Sequence, residues 1–161
     1  MIGFQQLASD VLEACKSRGW MVATAESCTG GMIAAALTDI AGSSAVVDRG
    51  FVTYSYPSKT ALLGVPAAML RDHGAVSEPV ARQMALGALT ASDAALSVAV
   101  TGVAGPGADG DKPEGRVWFA VATADGVETS VREFGPLGRD AVRMATVETA
   151  LTLLLEKAQV L

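Results

Sequence analysis

The chain has 161 residues, half of them hydrophobic, with 12 Lys and Arg against 17 Asp and Glu. Its length suits one compact domain with a real core, and no run approaches the roughly 18–20 apolar residues that cross a bilayer. A net charge of −5 and a pI near 4.8 argue against a nucleic-acid surface, which needs clustered Lys and Arg, but leave room for a local basic pocket.

Cys15, Cys28 and the single His73 match no metal-ligand spacing and no disulfide framework, so neither a zinc site nor another metal centre is expected. The N-terminus lacks a basic segment followed by an apolar core, so it does not read as a signal peptide, and the expected location is the cytoplasm. With no internal repeat or linker, residues 1–161 are read as a single domain.

Phe4, Leu7, Ala8, Val11 and Cys15 recur at helical spacing, and Gly19 follows as a stop signal. Residues 20–25, WMVATA, form a short apolar run that predicts a buried strand. Met32, Ile33, Ala36, Leu37 and Ile40 resume helical spacing, so the octet TAESCTGG at 24–31 falls at a strand-to-helix junction. Residues 46–55 predict a second strand interrupted by Gly50 and ended by Pro57, with a short helical stretch through Leu63. Ser77 is a good N-cap for a helix carrying Val80, Met84 and Ala88.

Residues 95–101, apolar nearly throughout, predict a central strand buried on both faces. Residues 116–124 and 127–134 flank Asp125-Gly126, a strong hairpin signal that makes this pair antiparallel. A last helix is expected from about Gly138 to Lys157, with Met144, Val147, Leu151 and Leu154 facing inward. Helices alternating with strands in this order predict a three-layer α/β/α sandwich with a mixed sheet.

Ligands of open α/β sheets gather at the carboxyl ends of the strands, where four loops are expected to meet. They are the octet, residues 54–59, residues 101–115 and residues 135–139. In the octet, Ser27, Cys28 and Thr29 each carry a nucleophilic atom ahead of Gly30 and Gly31. A helix N-terminus supplies N–H groups for negative charge, and glycines admit a ligand to the backbone. The plainer alternative makes Ser27 or Thr29 a helix cap and Cys28 a buried structural thiol rather than a partner of His73.

With one histidine available, lysine is the natural base for a serine. Lys59 lies five residues after Tyr54 in YSYPSK, and a desolvated lysine can fall far enough in pKa to accept a proton near neutrality. A tyrosine beside it can relay that proton. The alternative is a solvated Lys59 and a half-buried strand aromatic at Tyr54. The glycine-rich segment TGVAGPGADGDKPEG, opening on Thr101 and Gly102, reads as a ligand-shaping loop or a long turn. Its Asp109 and Asp111 are read as solvated rather than as cation ligands. Arg139 and Arg143 lie one turn apart at a helix start, where the dipole disfavours cations. An anion such as a phosphate between them is one explanation, and pairing with Asp140 or Glu133 is the other.

TAESCTGG, GSSAVVDRGFVTYSYPSK, GAVSEPVA, TGVAGPG with KPEGRVWFA, and GRDAVR occur in this order. Together they resemble the C-terminal domain family of competence/damage-inducible protein A, over about residues 5–155. The resemblance implies a mixed, mostly parallel five-stranded sheet, no metal or other cofactor, and hydrolysis of the carboxamide of nicotinamide mononucleotide in pyridine nucleotide salvage. It makes Ser27 the nucleophile and Tyr54 and Lys59 its partners. It also puts Thr101 and Arg139 at the substrate, and the readings of the helix start, the glycine-rich loop and the paired arginines add Thr29, Gly30, Gly31, Gly102 and Arg143 to the substrate-binding set. The expected partner is a small-molecule nucleotide, with no nucleic acid and no membrane, and a homo-oligomer such as a dimer is left open. The competing readings are a noncatalytic nucleotide-binding or regulatory domain, and an amidase acting on another small amide.

Overall fold

The computed structural model describes residues 3–160. Helix α1 (Gln5–Arg18) leads to β1 (Val22–Glu26), α2 (Met32–Thr38) and β2 (Val47–Val52). Three helices follow, α3 (Tyr56–Leu63), α4 (Ala67–His73) and α5 (Glu78–Thr90), and then β3 (Leu96–Gly102), β4 (Arg116–Thr123), β5 (Gly126–Glu133) and α6 (Arg139–Gln159). The strands form one sheet in the order β2-β1-β3-β4-β5. β1 pairs in parallel with both β2 and β3, while β4 pairs antiparallel with both β3 and β5. By direction, four strands run together and β4 alone is reversed.

Period-two alternation divides the side chains between two layers. Val22, Leu96, Val98, Val100, Val117, Phe119 and Val121 face a core shared with α1, α2 and α6. Ala23, Ala25, Ala99, Ala120 and Ala122 face the other layer with Ala81, Met84, Ala85 and Ala88 of α5. Small residues on both sides let α5 lie close to the sheet. Close packing recurs at Gly87, where a β-carbon would stand 2.1 Å from the Leu63 carbonyl oxygen of α3. The sandwich therefore has the expected three layers, and β3 is its centre, buried at every residue but the last, Gly102. No described helix is long and apolar enough to cross a membrane.

Several details differ from expectation. The second strand is not broken at Gly50; its register shifts between Val47 and Arg49. Gly50 is needed for a different reason, since a β-carbon there would meet the Thr24 hydroxyl at 2.7 Å and Ala34 of α2 at 3.4 Å. Pro57 does not end the strand but sits in the first turn of α3, where its missing N–H is harmless. The hairpin loop is Ala124-Asp125, because Gly126 already pairs with Thr123. Helix α4 has no counterpart in the sequence reading. Met144 is 39% exposed rather than inward, because the buried stripe of α6 runs through Val142, Thr146, Val147, Ala150, Leu151, Leu154 and Ala158. Two residues beyond Val142, Met144 lies about 200° around the helix.

Candidate active site

The chain leaves β1 through α2 on one face of the sheet to reach β2. It leaves β2 through α3, α4 and α5 on the other face to reach β3. Beyond the carboxyl end of β1 the two crossovers diverge, which makes this a topological switch point. The octet occupies that point.

Alternation decides which octet side chain faces which way. Glu26, the last residue of β1, turns towards α2, where its carboxylate accepts from Thr29 Oγ1 at 2.5 Å, Ile33 N at 2.9 Å and Ala34 N at 3.0 Å. The N–H groups opening α2 thus hold an internal carboxylate rather than await a ligand. Ser27 continues the ladder, its N–H donating to Val100 O at 3.2 Å. It projects to the opposite face, towards α3.

There Lys59 meets it. Ser55 and Ser58 form a reciprocal capping box that starts α3, and Lys59 is in the first turn, 1% exposed. Its Nζ lies 2.8 Å from Ser27 Oγ and donates to Thr53 O at 2.5 Å. Burial pulls its pKa from 10.5 down to about 8, against a smaller opposing influence of Cys28. A neutral amine can donate to Thr53 O and keep its lone pair for the Ser27 proton. Cys28 packs into the core shared with α1, α2 and α6. Burial pushes its thiol up to about 12, so it is held as an unreactive neutral group.

Tyr54, in the loop after β2, is 62% exposed rather than half-buried. Its hydroxyl accepts from Arg139 Nη2 at 2.8 Å, and Arg139 Nη1 donates to Gly105 O at 2.8 Å. Arg139 therefore ties the loop after β2 to the loop after β3. The phenol oxygen accepts that bond, leaving its O–H free to donate. Glu114 accepts from Gly107 N and closes the glycine-rich loop on itself. Asp109 and Lys112 exchange backbone bonds of 2.9 Å.

These groups enclose a cleft of about 240 Å³ lined by Ser27, Cys28, Tyr54, Gly102, Arg139 and residues 103–109. All four expected loops thus meet, and Ser27, Tyr54, Lys59, Gly102 and Arg139 come together. Thr29, Gly30, Gly31, Thr101 and Arg143 are not part of the cleft lining. Thr101 Oγ1 donates to Ala75 O at 2.9 Å, and the Thr29 hydroxyl is taken by Glu26. Arg143 donates from Nε to Cys28 O at 3.1 Å and from Nη2 to Thr29 O at 3.2 Å. Neither arginine pairs with Asp140 or Glu133: Arg139 donates to Gly105 O and the Tyr54 hydroxyl and Arg143 to two carbonyls, while Glu133 pairs with Arg116 at 2.7 Å. His73 lines a different cavity and is no partner for Cys28.

Glu26, the Thr53 carbonyl and the carbonyl-binding role of Arg143 are absent from the sequence reading. A carboxylate ending an otherwise apolar strand was the available signal for Glu26. Nothing local marks the other two.

A serine on a buried lysine at the switch point of an α/β/α sandwich defines the class of site. The CinA C-terminal domain matches residues 4–158, and the chain belongs to that family. It is 52% identical over 150 residues to nicotinamide-nucleotide amidohydrolase PncC of Escherichia coli (strain K12), covering 92% of this chain and 91% of that protein. A CinA-like protein of Anaeromyxobacter dehalogenans (strain 2CP-C) is 48% identical over 153 residues, covering 94% of this chain and 37% of that protein. Among solved structures, the competence/damage inducible protein CihA from Agrobacterium tumefaciens superimposes with a TM-score of 0.94 at 50% identity, covering 97% of this chain and 96% of that one.

Proposed function

We propose that the protein is a nicotinamide-nucleotide amidohydrolase, one amidase domain serving cytoplasmic pyridine nucleotide salvage. The observation that carries the reading is the 2.8 Å approach of a buried, pKa-lowered Lys59 to Ser27 Oγ. Its likeness over nearly the whole chain to PncC supplies the substrate.

Neutral Lys59 takes the Ser27 proton as Oγ attacks the carboxamide carbon. The tetrahedral oxyanion is held by backbone N–H groups of the octet turn. The C–N bond breaks as the nitrogen takes the proton from Lys59, and ammonia leaves an acyl ester on Ser27. Water then attacks the ester, giving its proton to Lys59, which returns it to Ser27 as nicotinate mononucleotide departs. Tyr54, anchored by Arg139, donates its O–H across the cleft to the substrate; its anchoring favours this over a direct bond to Lys59.

Ammonia release from nicotinamide mononucleotide tests the reading, with Ser27→Ala and Cys28→Ala as the variants. Ser27→Ala should abolish release, and Cys28→Ala should retain most of it. A wild-type protein that binds the nucleotide without releasing ammonia would make this a noncatalytic binding domain. Release from simple amides as fast as from the nucleotide would make it a general amidase.

A further inference from the structure

Arg143 is half-buried on α6, and among the described residues no carboxylate forms an ion pair with it. Both its bonds go to successive carbonyls of the nucleophile turn, those of Cys28 and Thr29. Gly30, which follows them, takes the left-handed conformation that favours glycine, with φ 61°. The bonds bridge 115 and 114 residues of sequence; the Thr29 carbonyl also accepts from Met32 N at 3.1 Å, so the turn is held from α6 as well as by its own helix start.

Orientation of a carbonyl fixes an N–H as well. A trans peptide is planar, with its N–H opposite its carbonyl, and Gly105–Pro106 is the one cis bond among the described residues. With the Cys28 carbonyl held by Arg143, the Thr29 N–H points away from Arg143. The Ser27 carbonyl accepts from Gly30 N at 3.1 Å, which fixes the Cys28 N–H in the same manner. Arg143 lies outside the cleft, whereas Ser27 and Cys28 line it. We propose that Arg143 is a positioning residue: by holding the Cys28 and Thr29 carbonyls from behind, it fixes the turn after Ser27 and so keeps the Cys28 N–H in the cleft as an oxyanion donor beside the nucleophile. This inference rests on the serine nucleophile proposed above, but not on the identity of the substrate.

The test uses diisopropyl fluorophosphate, a small electrophile that needs a serine, its base and an oxyanion site but no nucleotide recognition. Ser27 Oγ bonds to phosphorus, the P–F bond breaks, fluoride leaves and Lys59 takes the proton. Intact-mass measurement follows labelling against pH for the wild type, Arg143→Met and Arg143→Lys. Losing an oxyanion donor outright slows a reaction about 10²–10³-fold, so misaligning one that remains should slow labelling of Arg143→Met about ten- to a hundredfold. The pH midpoint should stay at the wild-type value, because the Lys59–Ser27 pair is untouched. Should Arg143→Met fail to fold, Arg143→Lys decides, since an ammonium reaching one carbonyl should still slow labelling about threefold or more. Labelling of a folded variant at the wild-type rate, or a slower rate with a displaced midpoint, would overturn the proposal. An unlabelled wild-type Ser27 would overturn it together with the nucleophile. A labelled wild type that releases no ammonia from nicotinamide mononucleotide would sink the nucleotide reading alone and leave Arg143 in its role.

Discussion

Lys59 shows how burial turns an ordinary residue into a base. In water its amine holds a proton to about pH 10.5, and in the protein only to about 8. The neutral form is the active one, so kcat/KM should rise with pH along a single-proton curve and level off above about 8. Lys59→Met should lose the curve and about 10²–10⁴-fold in rate, as for a missing general base. Stability should carry the same signature. Below pH 8 the amine is charged in both the folded and unfolded chains. Between about 8 and 10.5 only the unfolded chain keeps the proton, so rising pH stabilises the fold across that window. Urea titrations should show this gain in the wild type and not in Lys59→Met; parallel pH profiles would refute the assignment. Arg139 carries a different prediction. Two of its five N–H donors hold Tyr54 and Gly105, and the rest remain for a substrate phosphate. Arg139→Ala should raise KM about ten- to a hundredfold for the nucleotide, as loss of a charged hydrogen bond predicts, and change little for the riboside. An equal loss on both substrates would mean that Arg139 serves the loops and not the phosphate.

At the scale of elements, Glu26 binds β1 to α2 and so sets where the octet turn begins. Its carboxylate offers two acceptor oxygens to three donors, and Glu26→Gln replaces one oxygen with a competing donor. A buried N–H left unpaired costs about 1–3 kcal/mol, so the urea midpoint should fall by that equivalent, with ammonia release falling too as Ser27 shifts. An unchanged midpoint would show that α2 does not depend on this clasp. The contrast between Glu26 and β3 explains which elements were legible. β3 and the stripe of α1 were readable because period and hydrophobicity are local properties. Ser77 was correctly placed before α5, yet its hydroxyl donates to Gly74 O at 2.8 Å instead of capping the helix. Seven-residue α4 is too short to display a periodic stripe, and it begins after Pro66 without a side-chain cap. Ser27, Tyr54, Lys59 and Arg139 could be chosen from residue chemistry and from the family's motifs. The Arg143 contacts could not, because they join residues more than a hundred positions apart and leave no mark on the spacing of either.

Across the whole molecule, the machinery and the fastening of the chain lie at opposite ends of one helix. Helix α6 has 21 residues, about 30 Å at 1.5 Å per residue. Its first residue, Arg139, lines the cleft, and Arg143 one turn on holds the nucleophile turn from behind. Its last turn is held by Arg18 of α1, which donates to Ala158 O at 3.1 Å and Val160 O at 2.9 Å while its guanidinium lies 3.8 Å from the Trp20 ring centre. A cation at a helix C-terminus is favoured by the dipole, and stacking on indole adds to it. Removing Arg18 therefore frees the last carbonyls of α6 and uncovers Trp20, at an expected cost of about 1–2 kcal/mol, or roughly 2–8 °C in Tm for a chain of this size. The N-terminal turn of α6 is anchored independently, through Arg139 and Arg143, so the cleft should keep its shape. Arg18→Ala should consequently lower Tm while kcat/KM and its pH midpoint stay at the wild-type values. Melting curves and ammonia-release kinetics on the same preparation decide the matter. A fall in kcat/KM well below the melting range would mean that strain at the far end of α6 reaches Ser27, and that the helix transmits what its two sets of anchors are here taken to isolate.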